Sequence, residues 1–194
     1  MYGSQKVNKD IVLSLYKDER TVFRLIDVAM LVEETSMTSL SKKLNYYVSR
    51  GQLQNPRKGI YSKQNFNPEE LACCLYSPSY ISLDYVLQKK GILFQYNSQI
   101  TVSSYLSRIV EIEGQSYRFR KIKETILVNP LGINRLKSIN IASQERAFLD
   151  MLYLEPDYHF DNTHPLDKSL IKKLLPIYQS KALINRFDKI FNHG

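Results

Sequence analysis

Apolar residues recur at helical spacing from Met37 to Val48. Met37, Leu40, Leu44, Tyr47 and Val48 make one stripe, while Ser39, Lys42, Lys43, Tyr46 and Arg50 fall on nearly the opposite side. Ser36 has N-cap chemistry, because its hydroxyl accepts from the first free backbone N–H groups, and Gly51 can take the left-handed conformation that stops a helix. Residues 52–54 and 59–62 then read as two short strands joined by Asn55-Pro56-Arg57-Lys58, a turn with a basic tip. Upstream, Asn8 caps a helix carrying Ile11, Val12, Leu15 and Tyr16, and 21–24 is a short strand suited to pair with the hairpin. A second helix over 25–33 buries Ile26, Ala29, Met30 and Leu31. Helix, strand, helix, turn, helix, hairpin is the order of a winged helix-turn-helix.

Asn67-Pro68-Glu69-Glu70 opens a new helix with an N-cap, Pro at N1 and Glu at N3, so residues 62–66 read as a linker. Leu71, Ala72 and Leu75 supply its apolar face. A short strand at Tyr80-Ile81 follows, then a helix capped by Ser82 and stopped by Gly91. From Gln99 the period becomes two, predicting strands at 100–102, 108–112, 117–123, 125–128 and 139–142. Ser143 caps a helix bearing Ala147, Phe148, Met151 and Leu152, and two helical stretches close the chain. The fold class is therefore α+β. An N-terminal winged helix-turn-helix (1–66) precedes a mixed α/β domain (67–194) with a mostly antiparallel sheet.

Charge turns the first unit toward a partner. The formal net charge is +8, and the first 66 residues hold 11 Lys or Arg against 6 Asp or Glu. No acidic residue occurs from Thr35 to Pro68, a stretch holding Lys42, Lys43, Arg50, Arg57, Lys58 and Lys63. Such a field attracts duplex phosphate. The predicted DNA-binding residues are Ser36, Thr38 and Ser39 near the helix N-terminus, then Lys42, Lys43, Tyr46 and Arg50, with Arg57 and Lys58 on the wing. A solvated helix face beside an ordinary hairpin is the bland alternative. The alternation Tyr117-Arg118-Phe119-Arg120 suits single-stranded nucleic acid, but a sheet with one wet face produces it equally well.

Catalytic signals are sparse. No phosphate-cradling glycine loop and no G-x-S-x-G elbow occurs. Glu155, Asp157, His159, Asp161 and His164 share one loop, yet their spacing matches no zinc or calcium site. No catalytic residue, metal or cofactor is assigned. A metal-dependent nuclease using that loop with Glu111 or Glu113 is the enzyme alternative, and a winged-helix regulator with a ligand-sensing second domain is the other. The adjacent Cys73-Cys74 fit a reducing compartment. No run nears the roughly 18 apolar residues of a membrane span, and the first ten residues lack signal-peptide features. A cytoplasmic protein is expected.

Three segments resemble AbiEi-type antitoxins of abortive-infection (type IV) toxin-antitoxin operons. These are Arg57-Lys58-Gly59-Ile60-Tyr61, Tyr80-Ile81-Ser82-Leu83 leading through Leu87 to Gly91, and the stretch from Ile141 through Ser143, Glu145, Arg146 and Phe148 to Asp150. The resemblance runs from about residue 20 to the end. It implies a transcriptional repressor whose winged helix binds the operator of its own operon. It also implies a C-terminal domain that counters a nucleotidyltransferase-like toxin of the AbiEii type. A homodimer on DNA stays open. Ser143, Arg146 and Asp150 themselves read as structural residues, a cap and an i,i+4 pair.

Overall fold

The computed structural model describes residues 10–192. The chain is mixed α+β and divides into two compact units, Met1–Leu75 and Tyr76–Gly194.

In the first unit, α1 (Ile11–Lys17) is capped by Asp10, whose carboxylate accepts from Leu13 N at 3.1 Å. The expected cap, Asn8, lies outside the described residues. Strand β1 (Val22–Arg24) runs straight into α2 (Leu25–Val32), which stops at Glu33 in the left-handed conformation. Then come α3 (Met37–Ser49), β2 (Gln54–Arg57) and β3 (Ile60–Ser62), with sheet order β1-β3-β2. The expected third strand is thus present. Leu15, Phe23, Val28, Leu40 and Leu44 are fully enclosed in one core with Ile11, Ala29, Leu53 and Tyr61. Each enclosed Leu or Val contributes about 1.5–3 kcal/mol.

Two expectations fail here. Ile26 and Met30 are 44% and 73% exposed, and Val28 is buried beside Ala29 instead. Leu25–Val32 is apolar on almost every side, so periodicity alone does not choose its buried face. The hairpin also shifts, because strand β2 includes Asn55, Pro56 and Arg57. Between the pairs Gln54↔Ser62 and Arg57↔Ile60 the register slips, and this irregularity accommodates Pro56, which has no N–H to give.

Helix α4 (Pro68–Leu75) belongs to this unit, so the boundary falls after Leu75 rather than at the expected 62–67. Glu70, only 5% exposed, explains why. One oxygen of its carboxylate accepts from Thr21 N (2.6 Å), Val22 N (3.0 Å) and Thr21 Oγ1 (3.0 Å). The Thr21 hydroxyl in turn accepts from Asn67 N at 2.7 Å. The capping box expected within α4 is therefore relayed through a residue of the first strand's edge.

Cys74 on α4 is half-buried, and burial pushes its thiol up to about 11. At pH 8 it is expected to react with iodoacetamide roughly a hundredfold more slowly than in the urea-unfolded chain, because the thiolate is the nucleophile. Equal rates would place the thiol in water.

The second unit holds a six-stranded mixed sheet of order β6-β7-β5-β4-β9-β8. Its strands are β4 (Ser79–Ile81), β5 (Ile100–Ser104), β6 (Arg108–Ile112), β7 (Gln115–Lys121), β8 (Ile133–Leu136) and β9 (Ile139–Ala142). The ladders β4–β5, β6–β7 and β8–β9 are antiparallel; β5–β7 and β4–β9 are parallel. Helix α5 (Leu83–Lys89) packs against α7 (Gln144–Leu154), and α8 (Lys168–Leu174) and α9 (Lys181–Asn192) pack on α7 in turn.

The strand expected at 125–128 is instead a helical turn, α6 (Glu124–Leu127), which buries Ile126 and Leu127. Four residues with two adjacent apolar side chains satisfy either period. Ser82 is not a side-chain cap either. The start of α5 is held by Thr101, whose hydroxyl accepts from Tyr85 N (3.1 Å) and donates to Ser82 O (2.8 Å). Among the described residues no helix is long and apolar enough to cross a membrane.

Candidate nucleic-acid interface

Helix α3 turns Leu40 and Leu44 wholly inward. The 3.6-residue period then sets Thr38, Lys42, Asn45, Tyr46 and Ser49 on the outward side, and all five are exposed. Ser36 caps the helix through Ser39 N at 3.3 Å, so its hydroxyl is already in use, and Ser39 is half-buried. Arg50 at the C-cap lies over the Tyr46 ring at 5.4 Å, and Tyr46 meets Tyr47 edge-on at 5.7 Å. These contacts hold a flat aromatic face and a guanidinium together at one end of the helix.

The β2–β3 hairpin closes on Lys58-Gly59, with Gly59 at φ +81°, a conformation natural only to glycine. The Asn55 amide donates to Arg57 O (2.9 Å) and Ile60 O (2.7 Å), and Leu25 N donates to Gly59 O (2.9 Å). The tip is thereby fastened to the start of α2. Lys58 is exposed at the tip, whereas Arg57 is a half-buried strand residue and not part of the turn.

The acid-free stretch is less uniformly free than its sequence implies. Lys43 pairs with Glu34, just outside that stretch, at 3.0 Å. Lys63 donates to Asp18 O at 2.6 Å and sits 5.7 Å from the Tyr16 ring centroid, so it is a structural residue. Lys42 and Lys58 make no ion pair with any described residue. Ser36, Thr38, Lys42, Lys43, Tyr46 and Arg50 all lie along α3, with Arg57 and Lys58 on the adjoining hairpin. Asn45 and Ser49 share the outward stripe at i, i+4, i+7, i+11 spacing with Thr38 and Lys42, and neither carries the charge that marks the Lys and Arg candidates in the sequence.

In the second unit, the motif is buried from Glu145 to Asp150, and Ser143 is half-buried. Ser143 caps α7 through Arg146 N at 3.2 Å. Arg146 and Asp150 are wholly enclosed, with Nε 3.3 Å from Oδ1. The guanidinium also donates to Leu131 O (2.8 Å), Ile126 O (2.6 Å) and Tyr80 Oη (3.1 Å). Asp150 accepts from Tyr178 Oη (2.6 Å) and Ser82 Oγ (2.7 Å). Burial pushes the Asp150 carboxyl up against the pull of those donors, and Asp150 keeps Arg146 protonated. This network ties α7 to β4, α6 and the C-terminal turn.

Arg118 and Arg120 leave the sheet on the face opposite to buried Tyr117 and Phe119. They floor a cleft of about 660 Å³ walled by Asp84, Gln88, Tyr96, Glu155 and Tyr158. Arg120 pairs with Glu155 at 2.6 Å. His159 and Asp161 also line it, and Asp161 accepts from Phe94 N at 2.9 Å. Among the described residues no three His, Cys, Asp or Glu side chains are grouped to hold a metal ion.

No family model matches the sequence, and no curated protein matches it. The fold has a solved likeness. The chain is similar to the RV2827C protein of Mycobacterium tuberculosis, known from a crystal structure, at 12% identity and a TM-score of 0.50, covering 94% of this chain and 75% of that one. At that identity the likeness bears on the fold alone. It spans both units of the present chain, so the α+β arrangement of helices and mixed sheet is shared while residue roles are not transferred.

Proposed function

We propose that the first unit is a winged helix-turn-helix that binds duplex DNA, with α3 in the major groove and the Lys58 hairpin as the wing. The outward stripe of α3 carries the reading: Thr38, Lys42, Asn45, Tyr46 and Ser49 are polar and exposed, and Lys42 makes no ion pair with any described residue, whereas neighbouring Lys43 pairs with Glu34. Lys42, Arg50, Arg57 and Lys58 then meet phosphates, and Tyr46 packs beside the backbone. Four such contacts give a slope of log K against log salt of about −4. Lys42→Glu with Arg50→Glu should weaken duplex binding by about a hundredfold or more and flatten that slope by about two. Fluorescence anisotropy with a labelled duplex from the chain's own promoter region measures both, and unchanged binding would remove the assignment.

The role built on that activity is an AbiEi-type antitoxin that represses its own operon and, through the second unit, counters a nucleotidyltransferase-like toxin of the AbiEii type. The motif resemblance supports it. Repression alone lowers toxin supply and leaves toxin already made untouched, so a second activity is assigned to the second unit. A cognate toxin expressed from an unrelated promoter should be tolerated with the full chain and with Lys42→Glu/Arg50→Glu alike. Toxicity restored by the charge reversals would tie rescue to DNA binding instead.

One observation favours a second reading. The Arg118 cleft has the size of a small-molecule site, about 300–1,000 Å³. A ligand-sensing regulator would use it, and Arg118→Ala would then abolish the response to an inducer without altering basal DNA affinity.

A further inference from the structure

We propose that Asn45 is the residue that reads adenine in the major groove, and that Tyr61 is the positioning residue that sets its amide. The assignment rests on the DNA-binding reading of α3. Asn45 lies in the outward stripe, between Lys42 and Ser49, with Lys42 suited to phosphate or guanine. Ser49 Oγ donates to Tyr46 O at 2.7 Å, so that hydroxyl is turned back on its own helix. Tyr46 is engaged by Arg50. Among the described residues, Asn45 is the member of the stripe oriented by a hydrogen bond from outside the helix.

That group is the Tyr61 hydroxyl, which donates to Asn45 Oδ1 at 3.1 Å and lies 3.4 Å from Ser41 Oγ. Tyr61 is 3% exposed and anchored in the core on β3, so its hydroxyl is presented from a rigid base. The bond donated by Tyr61 meets the amide at its oxygen. It consumes one lone pair of Oδ1 and leaves the other, together with both Nδ2 hydrogens. An acceptor beside a donor is the complement of adenine, whose N6 donates and whose N7 accepts on the major-groove edge. Wing and helix are thus joined by a bond that is also an alignment device. If Asn45 merely braced Tyr61, its loss would change stability and leave sequence preference intact.

The test selects duplexes from a randomised library with the full chain, wild type and Asn45→Ala. The wild type should enrich a site with an invariant adenine, and Asn45→Ala should accept any base there. Placing 7-deazaadenine at that position, which deletes N7, should weaken wild-type binding about tenfold and leave Asn45→Ala unaffected. Tyr61→Phe, checked for folding by circular dichroism, should relax the same position partly. An unchanged adenine preference in Asn45→Ala, or an equal 7-deaza penalty in both proteins, would overturn the assignment alone. Retention of no duplex by the wild type would overturn the DNA reading and this assignment with it.

Discussion

Truncation after Leu75 is expected to leave a folded domain, and truncation after Phe66 a largely unfolded one. The shorter chain lacks Glu70 and so strips the acceptor from Thr21 N, Val22 N and the Thr21 hydroxyl at the head of β1. Each unpaired, partly buried donor costs about 1–3 kcal/mol, and the apolar burial that Leu71 and Ala72 contribute is removed with α4. Together these approach the roughly 5 kcal/mol that holds a small domain folded. Urea titration followed by far-ultraviolet circular dichroism compares the two chains. Glu70→Gln in the longer chain should be milder, about 1–2 kcal/mol, because the amide oxygen still accepts. Equal stability of the two truncations would mean that α4 does not brace the first unit.

Arg146→Ala is expected to destabilise the second unit by about 3–5 kcal/mol, lowering its melting temperature by roughly 10–20 °C. The truncation leaves Asp150 buried with its counter-charge gone, and it orphans the carbonyls of Leu131 and Ile126. Asp150→Ala should cost a similar amount, since Arg146 would then be the enclosed unpaired charge. Calorimetry should show one transition lowered while the transition of the first unit stays in place. A loss below about 1 kcal/mol would mean that water enters the network. The buried side chains of Arg146 and Asp150 are accordingly a folding element.

Much of the first unit was legible because its signals are local. Ser36 caps α3, Gly51 follows it at positive φ, and the Leu40–Leu44 stripe faces the core, all from spacing and side-chain chemistry. The hidden parts depend on partners far along the chain. Glu34 lies nine residues before Lys43, and nothing local says that they meet. Glu70 reads as a helix-start residue, yet its acceptor duty lies 49 residues upstream. Strand β8 (Ile133–Leu136) was missed because three of its four residues are exposed at the sheet edge, which erases the alternation that marks a strand. Asn45 shows no signal in charge, and only the helix geometry with Tyr61 behind it singles the residue out.

The interface itself is most directly tested by titrating the isotope-labelled full chain with duplex DNA and following backbone amide resonances. Shifts should concentrate in residues 36–50 and 57–59, weaken as salt is raised, and be absent around Arg118, Arg120 and Tyr158. Shifts centred on those cleft residues, or none anywhere at low salt, would contradict DNA binding by α3 and its hairpin.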